Sequence, residues 1–444
     1  MSATAIAWLL IFCSLLAASV RRPVFACCAY LMTFFAAPQF WWWGKGLLTS
    51  ITMRWNLLAA LALVLIVFAN WSRRAPTSKN CFRVAVFAFL YLINAFLVHN
   101  LLAANPDVSA KYFDLLWKSV GLAFLIRLSL HKTEDLHIFL FAITSLCGYV
   151  GYEVVVNEAG TTIAGRLEGI GIANASGANG IAAIMSMGLI LCGYFIISPP
   201  SSLYRIAAVA MAPLILDTVL RCNSRGAFLG LIASGVWLIV AARSQVRIRA
   251  VALLGIGAIA ILIQAGDARI WERFFSTFAE GSERDNSAGE RLLYWEAALN
   301  MVQDYPLGKG AKAAFKSDLG ATYIEHFRAG EYRSVHNGFL DNLTSWGVQG
   351  FILLSSAFAI SYFAMFRVAR EYAKENKNEM SFLGAALQSV LIGQLVCTLF
   401  TSILDGEWYL WLAAVSLAYA TYASQNLEDD STESEATSSS PRID

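Results

Sequence analysis

Apolar runs close to 20 residues long recur along the whole chain, separated by short polar connections. Windows long enough to cross about 30 Å of hydrocarbon predict spans near 4–20, 24–40, 55–71, 82–104, 112–130 and 135–156. Seven more are predicted near 178–198, 204–220, 226–242, 247–265, 347–366, 381–402 and 407–424. The expected fold is all-α, a polytopic membrane bundle of about twelve or thirteen helices, the first two short enough to form a hairpin or a partly re-entrant pair. The pattern divides the chain into an N-terminal bundle (1–265), one long connection (266–346), a C-terminal group of helices (347–424) and an acidic, Ser-rich tail (425–444). The tail lacks core-forming residues and is expected to be disordered.

Basic residues set the orientation. One set of alternate connections holds Arg21, Arg22, Arg73, Arg74, Arg243, Arg247, Arg249, Arg367, Arg370 and further Lys and Arg; the opposite set is much poorer. The richer set is expected to face the cytoplasm, which puts 266–346, the loop 157–177 and the turn 221–225 on the outer face and the tail inside. A connection as long as 266–346 without an apolar span is more often functional than idle.

Composition narrows the function. Of 444 residues, 57% are hydrophobic and 14% charged, against about a quarter charged in ordinary soluble domains, which excludes a soluble enzyme. A net charge of +2 offers no field for nucleic acid. The eight cysteines lie in or beside apolar spans without C-x-x-C spacing and read as small buried hydrophobes. No D-x-D pair occurs in an outer loop and no His or carboxylate cluster has metal-ligand spacing, so neither a metal nor another cofactor is expected. Asn174 and Asn342 head N-x-S/T triplets, which read as coincidence.

Candidate chemistry lies in three outer segments. Ser287 and Glu290 form a capping-box pattern, so a helix is expected to start there, with Leu292, Trp295, Leu299 and Val302 on one apolar stripe and Pro306, Gly308 and Gly310 ending it. Arg291 in its first turn can hold a phosphate together with free helix N–H groups, although a surface pair with Glu290 explains the spacing equally well. Arg221 and Arg225 sit in "LRCNSRGAFLG" at an outer mouth, with Asp217 one turn earlier; such arginines also snorkel to lipid headgroups. Arg166 lies in the Gly-rich stretch "AGRLEGIGIANASGANG". His336 and His326 are the only histidines in the long connection, and His336 stands just before the chain re-enters the membrane, where an imidazole suits a general base at headgroup depth.

In order and position, "SRGAFLG" (224–230), "RLLYWEAALNMVQDYPLGKG" (291–310) and "HNGFLDNLTSWGVQG" (336–350) resemble the bacterial O-antigen ligase and polymerase superfamily. The opening, with "RRP" at 21–23 and "FWWWGKG" at 40–46, resembles its exosortase-associated ligase branch. The resemblance implies transfer of a glycan from an undecaprenyl-diphosphate carrier at the periplasmic face of the inner membrane to an acceptor: lipid A-core, a protein or another hydroxyl. It further implies Arg225 and Arg291 as diphosphate-binding arginines, His336 as the base or acceptor-orienting residue, and Arg166 and Arg221 as supporting charges. A repeat-unit polymerase would share these residues. A polysaccharide or lipid transporter would instead line a path with Asp114, Lys118 and Glu153, but no internal repeat or pair of broken helices supports that reading.

Overall fold

The computed structural model describes residues 2–45, 54–73, 75–175, 177–242, 244–264, 286–312, 315–324, 334–404 and 406–438. His326 and residues 266–285 of the long connection lie outside them, as do the Ser287 and Glu290 side chains. The helices are α1 (Ala3–Ser19), α2 (Val24–Phe35), α3 (Trp55–Ala69), α4 (Lys79–Leu102), α5 (Pro106–Ser129), α6 (Thr133–Val156), α7 (Ala178–Ile197), α8 (Ser202–Cys222), α9 (Arg225–Ala241) and α10 (Ser244–Gln264). There follow α11 (Asn286–Asp304), a single turn at Asp318–Ala321, α12 (Gly338–Lys374), α13 (Asn378–Thr398) and α14 (Glu407–Ser438). The only strands among the described residues are β1 (Thr161–Ile163) and β2 (Arg166–Glu168), a small antiparallel hairpin.

The fold is therefore the expected all-α polytopic bundle. Among the described residues, α4, α6, α7, α8, α12 and α13 are long and apolar enough to cross a bilayer, and α1, α2, α3 and α9 are shorter apolar helices. Predicted span 24–40 stops at Phe35, because Pro38 and the Trp-rich segment fold into two single turns, Pro38–Phe40 and Trp42–Gly44. These turns are clamped by indole donors: Trp41 Nε1 to the Phe35 carbonyl (3.2 Å), Trp42 Nε1 to Glu153 (2.9 Å) and Trp43 Nε1 to the Tyr149 hydroxyl (2.6 Å). At the other end of the chain, α14 continues as backbone helix to Ser438, past residue 425 where a disordered tail is expected. Glu428, Glu433, Glu435 and Ala436 are good helix formers, and extension costs little once packing has nucleated the helix.

Buried side chains show how the bundle holds together. α13 is the most enclosed of the candidate spans and packs on α7, α9, α12 and α14. In such contacts small residues let backbones approach and buried polar groups find partners: Gln394 donates to the Ala183 carbonyl at 2.8 Å and accepts from Trp408 Nε1 at 3.1 Å, and Ser234 on α9 bonds the Ser389 carbonyl at 2.8 Å. All eight cysteines are free; six are buried, Cys81 is half-buried and Cys13 is exposed, so the expectation of burial holds for all but those two.

One break shapes the candidate site. α12 is interrupted at Gly347, whose φ of 77° lies in the left-handed region that favours glycine. The predicted boundary between the long connection and the next span falls at this residue. The helix nevertheless begins nine residues earlier, capped by Asn337 Oδ1, which accepts from Phe339 and Leu340 N–H.

Candidate functional site

The segment after α11 fills the break in α12. Val348 N–H donates to the Pro306 carbonyl (2.9 Å), Lys309 N–H to the Thr344 carbonyl (2.9 Å) and Gly310 N–H to the Ser345 carbonyl (3.0 Å). Gly308 lies so close that a Cβ there would sit 2.5 Å from the Gly347 nitrogen. Asn94 of α4 closes the other side, donating to the Trp346 carbonyl at 2.8 Å. Backbone groups freed at a break need such partners when they lie within a membrane protein. Thus "PLGKG" and "WGVQG", distant in sequence, form one interlocked unit.

Trp295 on α11 donates to the Val335 carbonyl at 3.2 Å, fastening that helix to the residue before His336. Around this bond Ala297, Ala298, Met301, Phe315 and Val335 form a small separate core. The expected stripe on α11 is corrected here: Leu292 and Leu299 are about half exposed, and the helix docks instead through Ala297, Ala298 and Met301. Two alanines allow close approach, whereas a stripe chosen by bulk selects the leucines. Arg291 is half-buried one turn before Trp295. His336 is half-buried too, with φ of 54°, a left-handed backbone that few non-glycine residues adopt. Its N–H faces Ser334 Oγ (3.4 Å), and Ser334 donates to Ser402 Oγ (2.7 Å).

A second cluster surrounds the corner between α8 and α9. Arg166 opens β2 after the Ala164–Gly165 turn, and its guanidinium bonds the Cys222 carbonyl (3.3 Å) and Asn179 Oδ1 (2.5 Å). It so supplies positive charge at the negative end of α8. Ser224, the N-cap of α9, donates to the same Asn179 oxygen at 2.9 Å. Arg225 is the first residue of α9 and is half-buried; Arg221 is half exposed and paired with Asp217 at 2.6 Å. The sequence placed Asp217 one turn before Arg221, and the structure pairs the two.

Both clusters rest on the turn that follows α13. Cys397 Sγ bonds the Gly226 carbonyl at 3.6 Å, and a Cβ on Gly226 would meet Phe400 at 2.8 Å. From the other side, a Cβ on Gly338 would meet Thr398 Cγ2 at 2.6 Å and the Leu404 nitrogen at 2.9 Å. The first turns of α9 and α12, carrying Arg225 and following His336, therefore share one support.

Sequence reasoning passed over two lysines here. Lys312 Nζ reaches the Ser402 carbonyl (3.4 Å) and lies 4.6 Å from the Tyr112 ring; Lys316 Nζ bonds the Tyr112 hydroxyl at 3.1 Å. Their signal was the Lys309, Lys312, Lys316 spacing that begins inside "PLGKG". Of the sites set aside earlier, Asn342 is buried and donates to the Tyr91 hydroxyl (2.8 Å), and Asn174 donates to buried Glu407 (3.4 Å). Asp114 and Lys118 pair with each other at 2.5 Å on the half-exposed face of α5, while Glu153 is buried at the end of α6, bonded by Tyr149, Trp42 and Asn157. Among the described residues, no group of three His, Cys, Asp or Glu is placed to hold a metal ion.

The fold and these clusters together define a polytopic helical membrane protein with cationic side chains around the starts of α9 and α12. The O-antigen ligase family model matches residues 210–355, from within α8 through α9, α10 and α11 to the broken start of α12. A family of unknown function (DUF5935) matches residues 3–176. No curated protein matches the chain. The match over residues 210–355 supports an O-antigen ligase-like superfamily membrane protein. Together with the apolar helices, the match indicates a multi-pass inner-membrane protein of polysaccharide biosynthesis, similar to glycosyltransferase-like enzymes.

Proposed function

We propose that the chain transfers a glycan from undecaprenyl diphosphate to an acceptor hydroxyl at the periplasmic face, acting as a ligase without a metal. The observation that carries this reading is the shared support of the two clusters: Arg225 and His336 stand at the starts of helices that both pack on Thr398–Leu404, and Trp295 fastens the helix of Arg291 to the same place. On this reading 266–346 forms a periplasmic cap over the bundle, and the tail is cytoplasmic.

Arg225 and Arg291 hold the carrier diphosphate, with Lys312 and Lys316 adding positive charge. His336 accepts the proton of the acceptor hydroxyl as that oxygen bonds to the anomeric carbon. The bond from that carbon to the diphosphate oxygen breaks in the same displacement, its electron pair leaving with the carrier, and configuration inverts. Positive charge fixed where the leaving group gains negative charge lowers the barrier without reorganisation. Arg166 acts from behind, holding the α8–α9 corner, and Arg221 supplies a rim charge.

The test is the state of carrier-linked glycan in cells lacking the gene. Long polymer left on undecaprenyl diphosphate, with none on the acceptor, is the expected result. Single repeats still transferred to the acceptor would instead assign repeat-unit polymerisation, and normal glycan on the normal acceptor would overturn both.

A further inference from the structure

A cleft of about 250 Å³ opens between α4, α5, α12 and α14. Its walls are almost wholly apolar, with Ala88, Val120, Leu354 and Leu410 along its length. Phe82 and Phe124, which line it, are 72% and 49% exposed on the outside of the bundle. At one end stands Arg127, which is only 7% exposed.

Arg127 is unusual. Its Nη2 donates to the Pro76 carbonyl at 2.6 Å and its guanidinium faces the Tyr422 ring at 5.7 Å with the Tyr422 hydroxyl beside it, while Nε and Nη1 are buried and make no hydrogen bond of ordinary geometry. The carboxylate on the next helix, Asp135, is held by Arg22 at 2.5 Å and by the His131 N–H. A buried guanidinium with two unmet donors is costly unless an acceptor, best an anionic one, arrives. The N-terminus of α4 lies at the same end, with exposed Lys79 and Arg83 in its first turns. Arg127 is 21 residues along α5 from Pro106, about 30 Å of helix, so this end is opposite to the end that meets Lys309 and Lys316.

We propose that this cleft binds one anionic phospholipid, its phosphate on Arg127 and the start of α4 and one acyl chain along the apolar groove. Charge complementarity selects the headgroup and the wet-to-dry gradient along the cleft selects an amphiphile rather than a soluble anion. The site is independent of the glycan-transfer reading.

The experiment is native mass spectrometry of the full chain in a neutral detergent, with dioleoyl phosphatidylglycerol or dioleoyl phosphatidylcholine added. The expected result is one retained phosphatidylglycerol, held at least ten-fold more tightly than phosphatidylcholine. Arg127→Gln should lower retention about ten-fold. Ala88→Trp, which fills the groove and leaves Arg127 in place, should do the same, and thermal unfolding of each variant in the same detergent reports whether it is folded. Equal retention of the two lipids, or undiminished phosphatidylglycerol on a folded variant, would overturn the proposal. Displacement of phosphatidylglycerol by millimolar inorganic phosphate would also overturn it, in favour of a free-anion site.

Discussion

The indole N–H of Trp295 and the carbonyl of Val335, 3.2 Å apart, tie the helix of Arg291 to the residue that precedes His336. One bond thus sets the spacing between the proposed phosphate-binding group and the proposed base. Trp295→Phe keeps the ring and removes the donor, at a stability cost of about 1 kcal/mol. Because small misplacements are amplified in a displacement that needs alignment, transfer should fall about ten-fold or more while the unfolding temperature barely moves. Equal activity in membranes carrying the variant at parental level would separate this bond from the reaction.

His336 is the residue whose loss should matter most for the chemical step. His336→Gln removes the base and retains a polar side chain of similar reach, and a general base contributes roughly 10²–10⁴ in rate. The expected outcome is loss of transfer with carrier-lipid binding retained. Since His336 holds a left-handed backbone at φ of 54°, His336→Asn offers a second variant that tolerates that conformation better and should be equally inactive.

For Arg225 and Arg291 the planar, forked guanidinium is the point at issue. Arg291→Lys keeps the charge and forfeits bidentate phosphate geometry, so affinity for undecaprenyl diphosphate should fall several-fold. Unchanged binding would reduce Arg291 to a surface charge. Arg166→Lys should behave differently: its contacts are to Asn179 and the Cys222 carbonyl, so the variant should weaken folding of the α8–α9 corner, read as a lower unfolding temperature, more than it weakens carrier binding.

Much of this was legible in the chain, and the exceptions have physical causes. Periodic apolar runs gave the long helices because a membrane span must satisfy its backbone internally and show lipid an apolar surface. The clusters around Arg225 and His336 were legible as residues and not as a place, because the turn Thr398–Leu404 that joins them carries none of the quoted motifs. Lys312 and Lys316 act through Tyr112 and Ser402, contacts that only tertiary structure creates. On α11 the docking face was missed because alanine is a weak sequence signal, although Ala297 and Ala298 are, with Met301, its most buried described positions.

Gly338 gives the sharpest test of the shared support. A methyl group there would lie 2.6 Å from Thr398 Cγ2 and 2.9 Å from the Leu404 nitrogen, and the second neighbour is backbone that cannot turn aside. Gly338→Ala must therefore move the first turn of α12 away from the turn after α13, taking His336 and the Asn337 cap with it. Overpacking of this kind costs about 1–3 kcal/mol. The chain has enough remaining packing to stay inserted, so the expected phenotype is full-length protein in the membrane with transfer reduced by more than ten-fold. The compensating variant is Thr398→Ser, which removes the first of the two clashing groups. In the double variant activity should recover in part, and a double variant no better than Gly338→Ala alone would show that the Leu404 backbone, rather than Thr398, sets the position of His336.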